Sequence, residues 1–194
     1  MIFNNKGFIE VICGPMFSGK TTALIAKINF LKSNNIDFLV FKPIIDKRYS
    51  IKKELVTHDL ITFPSLVVHN SDEILDFVNK NKNNFDTLFI DEAQFFDSNI
   101  EKILNNLSFK GINIVISGLE LDFCARPFGS MPYFLSIADK VTKLKATCMV
   151  CKKEASRTQR IMQNGNLPSS KDKVVLVGGL NFHEPRCKQC HIFL

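Results

Sequence analysis

The sequence predicts an α/β fold: a parallel sheet with helical crossovers, carrying a small metal-stapled unit at its C-terminal end. Three observations carry that expectation. Short apolar runs alternate with segments of helical period through residues 8–146, the rhythm of strand–helix–strand units. A glycine-framed string, Gly14-Pro15-Met16-Phe17-Ser18-Gly19-Lys20-Thr21, lies between the first run and the first helical segment. Two Cys-x-x-Cys pairs, Cys148 with Cys151 and Cys187 with Cys190, follow the last apolar run.

Residues 8–13 read as a first buried strand. A helix follows over 20–33, with Leu24, Ile28 and Leu31 spaced to share one face. The run 37–41 gives a second strand that stops at Pro43, and 65–68 a candidate third. Asn70 with Glu73 three residues later opens a helix through Ile74, Leu75, Phe77 and Val78. Residues 87–90 form a strand that delivers Asp91 and Glu92 at its carboxyl end. Asp97 or Ser98 caps a helix bearing Ile100, Ile103, Leu104 and Leu107; Gly111 ends it, and 112–116 is the next strand. Past Ser117, the closely spaced Gly118, Pro127, Gly129 and Pro132 predict irregular chain. A short helix over 134–138 and a strand over 141–146 complete the first domain, 1–147. The second, 148–194, is too poor in apolar residues to fold without help.

The gross numbers restrict function loosely. With 45% hydrophobic and 23% charged residues among 194, the chain has the make-up of an ordinary soluble domain. No apolar stretch approaches eighteen residues and the N-terminus lacks the layout of a secretion signal, so a cytoplasmic protein with no membrane partner is expected. The net charge is +6, but the lysines are scattered, as in Lys52-Lys53, and no arginine-rich stripe emerges. The charge reads as solvated surface and permits anionic substrates. Six cysteines in such a setting argue against a disulfide framework.

The string from Gly14 to Thr21 fits G-x-x-x-x-G-K-[ST], with the strand before it and the helix after it that the motif requires. Backbone N–H groups of such a loop point at phosphate oxygens, and the helix N-terminus adds a favourable dipole. Lys20 reaches the β- and γ-phosphates and the Thr21 hydroxyl ligates Mg²⁺. The first domain is therefore read as a P-loop NTPase domain that binds a nucleoside triphosphate. Asp91 holds the same Mg²⁺ from its strand end. Beside it, Glu92 suits a group that accepts the proton of an alcohol or orients a water, which leaves kinase and ATPase both open. Asp91-Glu92-Ala93-Gln94 also resembles the boxes of RNA helicases, but those need two such domains and this chain has length for one.

The two cysteine pairs suit a tetrahedral Cys₄ zinc site. Cysteine at all four positions leaves no place for a reactive water, so the zinc is structural. The wide gap between the pairs encloses a long loop anchored at both ends by metal. His191 is an alternative to Cys190 as a ligand. Cationic residues around the knuckles (Arg157, Arg160, Lys171, Lys173, Arg186, Lys188) raise a competing reading as a nucleotide switch or a nucleic-acid reader. The segment offers few stacking aromatics, and no nucleic-acid partner is expected.

Taken together, the Gly14–Thr21 string, Asp91-Glu-Ala-Gln-Phe-Phe96, Gly118-Leu119 with Phe123 and Pro127-Phe-Gly129, Ala155-x-x-Thr158-x-Arg160, Val177-Gly-Gly179 and the knuckles resemble the type II thymidine kinases over nearly the whole chain, in order. The resemblance implies transfer of the ATP γ-phosphate to the 5′-hydroxyl of thymidine and of deoxyuridine, inhibition by thymidine triphosphate, and a homotetramer. It makes Glu92 the general base and adds Gln94 to the ATP-side set. It stacks Phe123 on the thymine ring, turns Thr158 to the base, and makes the loop between the knuckles a lasso whose backbone at Val174, Val175, Leu176, Val177 and Gly178 reads the base. Asp46 and Arg48 match a phosphate- or magnesium-side pair, although such a loop also reads as a surface ion pair, and Phe123 by itself as core. Two departures stand out. His183 replaces a tyrosine that touches the sugar in relatives, and Arg157 occupies a position that is often aromatic or small. Gln163–Ser170 has almost no apolar residues and is expected to be mobile in the free enzyme.

Overall fold

A computed structural model describes residues 6–44, 54–56, 62–81, 85–162, 167–174 and 182–194; Asp46, Arg48, Val175, Leu176, Val177 and Gly178 lie outside them. The chain runs β1 (Ile9–Cys13), α1 (Lys20–Ser33), β2 (Phe38–Pro43), β3 (Glu54–Val56), β4 (Thr62–Pro64), β5 (Leu66–Val68), α2 (Ser71–Lys80) and β6 (Thr87–Ile90). After a single helical turn (Ala93–Phe95) come α3 (Asn99–Phe109), β7 (Asn113–Gly118), α4 (Met131–Ile137), β8 (Lys140–Lys143), β9 (Ala146–Thr147), β10 (Glu154–Ala155), β11 (Arg157–Arg160) and β12 (His183–Arg186).

Six strands form one sheet in the order β5-β2-β6-β7-β1-β8, every pair parallel. Side chains alternate between its two faces, as strand geometry requires. On one face Val11, Cys13, Phe41, Leu88, Ile90, Ile114 and Ile116 pack with residues of α2, α3 and α4. On the other, Ile12, Val40 and Phe89 meet Leu24, Ile25 and Ile28 of α1. Both faces are covered, which explains why the strands read as continuous apolar runs. A buried acid interrupts the first run: Glu10 in β1 is held by Lys27 of α1 at 2.8 Å and Lys140 of β8 at 3.2 Å.

Several boundaries differ from the sequence reading, each for a physical reason. Pro132 sits in the first turn of α4, where a missing N–H costs nothing, so this helix starts earlier than its position after a proline suggests. Strand β2 continues through Pro43 because the short edge strand β5 pairs with it there. The small antiparallel β3–β4 ladder has no counterpart in the sequence pattern. The single strand expected over 141–146 is two: β8 closes the sheet edge, and β9 turns away to pair antiparallel with β10. At α2 the expected cap forms, with Asn70 Oδ1 accepting from Glu73 N at 3.1 Å. Asp97, and not Ser98, serves α3, accepting from Asn99 N at 3.1 Å while also holding Ser71.

Beyond β8 the architecture changes. The β9–β10 pair encloses Cys148 and Cys151, and the antiparallel β11–β12 pair leads into Cys187. The described part of the expected mobile stretch is fastened by backbone hydrogen bonds, and Pro168 within it is buried. Ser170 N donates to Leu194 O and Leu194 N to Pro168 O, at 2.8 and 2.9 Å.

Candidate active site

The site lies at the carboxyl ends of β1, β6 and β7. Gly14 leaves β1 at φ 149°, and a Cβ there would come within 2.6 Å of Leu144 O, so the turn admits only glycine. At the far end of the loop, Gly19 takes the left-handed conformation as the N-cap of α1 and supplies no side-chain acceptor. The first N–H groups of α1 are thus left for another acceptor, such as a phosphate. Lys20 is almost wholly buried and donates from Nζ to Pro15 O at 2.8 Å, folded over the loop. Burial lowers its pKa, opposed by the negative charges of Glu92, Asp91 and Glu120. Phe17 adopts a positive φ of 64°, and the buried hydroxyl of Ser18 has no hydrogen-bond partner among the described residues.

One strand, β7, separates β1 from β6, so Asp91 reaches the loop from across it. Asp91 is buried, and desolvation together with the neighbouring Glu92 pushes its pKa up to about 6. The Ser117 hydroxyl at the end of β7 comes beside Asp91 without meeting hydrogen-bond geometry, a second orphaned hydroxyl in the cleft. Glu92 has φ 52° and ψ 40°, a left-handed conformation rare for a non-glycine residue and concentrated at functional sites. Gln94 explains how it persists. Its Nε2 donates to Glu92 Oε2 at 2.6 Å and its Oε1 accepts from Leu119 N at 2.9 Å, so the carboxylate is held at a fixed angle from the loop after β7. Gln94 is in turn boxed in. Gly129, at φ 51°, packs so closely on its backbone that a Cβ would collide.

Oxygen donors suit Mg²⁺, a hard cation. Thr21 and Asp91 would hold it, and the orphaned Ser18 and Ser117 hydroxyls fit a cleft whose polar partners arrive with a ligand.

On the other wall, Phe123 is buried, and the Arg160 guanidinium lies 3.8 Å from its ring centre. The turn bearing Phe123 is organised by Asp122, which accepts from the backbone N–H groups of Cys124 and Arg126. His191, whose Nε2 lies 2.9 Å from Phe123 O, ties that turn to the C-terminal unit. Thr158 is buried, and its hydroxyl accepts from Met16 N in the phosphate loop at 3.0 Å. His183 sits 3.4 Å from Arg160 Nε, and the Val174 carbonyl accepts from Arg160 Nη2. The sequence reading missed these roles of Gln94, Arg160 and His191, since none follows from residue spacing.

Cys148, Cys151, Cys187 and Cys190 come together, their sulfurs all within 4.8 Å of one another. Cys151 Sγ and Cys187 Sγ are 3.6 Å apart, far beyond a disulfide bond. Four thiolates around Zn²⁺ at about 2.3 Å stand roughly 3.8 Å apart at tetrahedral corners, so the cluster fits that ion. His191 is outside it.

The chain matches the family model described as thymidine kinase over residues 7–191. It is 50% identical to a thymidine kinase of Onion yellows phytoplasma over 96% of this chain and 87% of that one. It is 48% identical, with the same shares covered, to a thymidine kinase of Aster yellows witches'-broom phytoplasma. A solved genome-packaging NTPase, B204 of Sulfolobus turreted icosahedral virus 2 with ATP-gammaS, aligns at 21% identity and a TM-score of 0.46 over 72% of this chain and 75% of that one, a distant likeness that says nothing of substrate. With the family match spanning phosphate loop, strapped glutamate and cysteine cluster alike, the chain belongs to the thymidine kinase family.

Proposed function

We propose that this protein transfers the γ-phosphoryl group of ATP to the 5′-hydroxyl of thymidine. The observation that carries the reading is Glu92. A carboxylate one residue from Asp91, in a strained conformation and strapped by Gln94, is a base held for one task. In the step, the nucleoside oxygen forms the new P–O bond, the bond from γ-phosphorus to the β,γ-bridging oxygen breaks, ADP leaves, and the hydroxyl proton passes to Glu92. The loop Gly14–Thr21 cradles the phosphates and Lys20 stabilises charge on the transferring group. Mg²⁺, when bound, neutralises phosphate charge. Buried Phe123 and the backbone around Val174 supply the base side, with Thr158 and His183 close by; Asp46, Arg48 and 175–178 are assigned to the site on family resemblance alone.

Finer parts of the proposal are use of deoxyuridine, inhibition by thymidine triphosphate, a homotetramer, a cytoplasmic location and a division into units 1–147 and 148–194. None of the helices among the described residues is long and apolar enough to cross a membrane. The test is a panel of nucleosides, and no acceptor at all, with radiolabelled ATP and Mg²⁺. Thymidine should be phosphorylated at the 5′ position. ATP hydrolysis without acceptor transfer, or preference for a purine nucleoside, would overturn the proposal.

A further inference from the structure

Strand β11 touches two parts of the site at once. The Thr158 hydroxyl accepts from Met16 N, giving a half-buried amide of the phosphate loop its partner from 142 residues away. Two residues on, and so on the same side of the strand, Arg160 is only 3% exposed. Its Nη1 donates to Lys173 O and its Nη2 to Val174 O, both at 2.6 Å, while its plane covers Phe123. Between them Gln159 locks the strand to the C-terminal chain. Its Nε2 donates to Ile192 O and its Oε1 accepts from Ile192 N, each at 2.8 Å. Along its edge β12 pairs with it and runs into Cys187. The strand is thus held by β12 along one edge and by the side chains of three successive residues, Thr158, Gln159 and Arg160.

We infer that β11 couples the phosphate loop to the 167–174 segment, with Thr158 positioning the loop through Met16 and Arg160 positioning the segment through two successive carbonyls. The inference rests on the proposed reading of the cleft as an ATP site facing a nucleoside site. Both ends of the link are directional. A threonine oxygen is the acceptor for one loop amide, and a planar fork matches two adjacent carbonyls as an ammonium cannot. Ordering one end therefore favours the arrangement of the other, and by linkage the effect runs both ways.

The experiment uses full-length, zinc-loaded protein and the variants Thr158→Val, Thr158→Ser and Arg160→Lys. ATPγS binding is measured by calorimetry without nucleoside, and tryptic cleavage after Lys171 and Lys173 with and without ATPγS. Thr158→Val removes the acceptor at nearly equal size and should weaken ATPγS about five- to tenfold, with zinc content unchanged. Thr158→Ser should restore affinity to within about twofold. ATPγS should slow cleavage in the wild type and fail to do so in Thr158→Val. Arg160→Lys should speed cleavage several-fold even without ligand. Affinity of Thr158→Val within about twofold of wild type, no rescue by serine, or protection that survives in Thr158→Val would overturn the coupling, as would absence of protection in the wild type. If Thr158→Val fails to fold, the wild-type protection and the Arg160→Lys cleavage rate still decide. Intact ATPγS binding with no phosphorylation of thymidine would instead overturn the proposed acceptor.

Discussion

The parallel sheet and the C-terminal cysteine unit are held together by different physics. The sheet buries apolar side chains on two faces, with Ile12, Leu24, Leu88, Phe89, Ile90 and Ile116 all fully enclosed. In the unit, the buried apolar cluster is Cys148, Ala155 and Cys187, two of which belong to the four-cysteine group that could hold a metal. One region is stabilised by area removed from water and degrades by increments. The other has little such area and relies on hydrogen bonds such as those of Arg160 and Gln159, with four thiols placed where a metal could bind. The contrast puts Glu92 just past the end of β6 and Lys20 at the start of α1, and Thr158, Arg160 and His183 on a part of the chain with little apolar core of its own.

Metal removal sharpens the comparison most. Structural zinc contributes about 10–16 kcal/mol in small peptides, more than such a unit gains from burial. Chelation, or Cys187→Ser, is expected to abolish activity and expose amides of 146–194 to hydrogen exchange while those of β1, β6 and β7 stay protected. Simultaneous loss of protection in both regions would erase the distinction. Metal analysis should return one zinc per chain.

Phe89→Ala addresses the sheet. Phe89 is fully buried between α1 and the sheet and packs edge-on against Phe38. Its truncation should lower the stability of the sheet by about 3–5 kcal/mol in denaturant titration while zinc stays bound to the folded protein. Loss of zinc at denaturant concentrations that leave the sheet folded would contradict the assignment.

Glu92→Gln separates chemistry from both. The amide keeps the size of the side chain but accepts no proton, so kcat should fall by roughly 10²–10⁴ with little change in ATP affinity. Melting temperature and zinc content are expected to stay at wild-type values. Turnover within a few-fold of wild type would remove Glu92 from its role.

The smallest effect concerns Glu10. Burial raises its pKa, but Lys27 and Lys140 more than offset this and hold it below the usual carboxylate range. A depressed folded-state pKa adds stability that is present above the unfolded value and lost as pH falls through the folded one. Because both lysines are partly exposed, Glu10→Gln should cost only about 0.5–1 kcal/mol at pH 7. The gap to wild type should close below about pH 4. A gap of constant size across that range would show that packing, not charge, is responsible.

Much of the protein is legible in the sequence because the relevant signals are local. The phosphate loop is eight consecutive residues between a strand and a helix, and the strands announce themselves as apolar runs because both faces of the sheet are covered. Each cysteine pair marks its own turn, and four thiols of matching spacing suggest the ion. Asp91 and Glu92 follow β6 directly, so the apolar run before them marks both as strand-end carboxylates. Local reading failed where a neighbour across the chain decided the outcome: Pro43 inside a strand, and the split of 140–147 between two ladders.

What only the tertiary structure decided is which residues serve the named ones. Gln94 reaches Leu119 across 25 residues to hold Glu92, His191 reaches Phe123 across 68, and Thr158 reaches Met16 across 142. No periodicity encodes such pairs. A glutamine, a histidine and a threonine each offer a hydrogen bond that any folded surface could accept, and the strand order β5-β2-β6-β7-β1-β8 selects the partners. Sequence specified the reacting groups through short-range patterns of strong chemistry; their positioning depends on weak, directional bonds between distant segments, which exist only once the sheet and the cysteine cluster have brought those segments together.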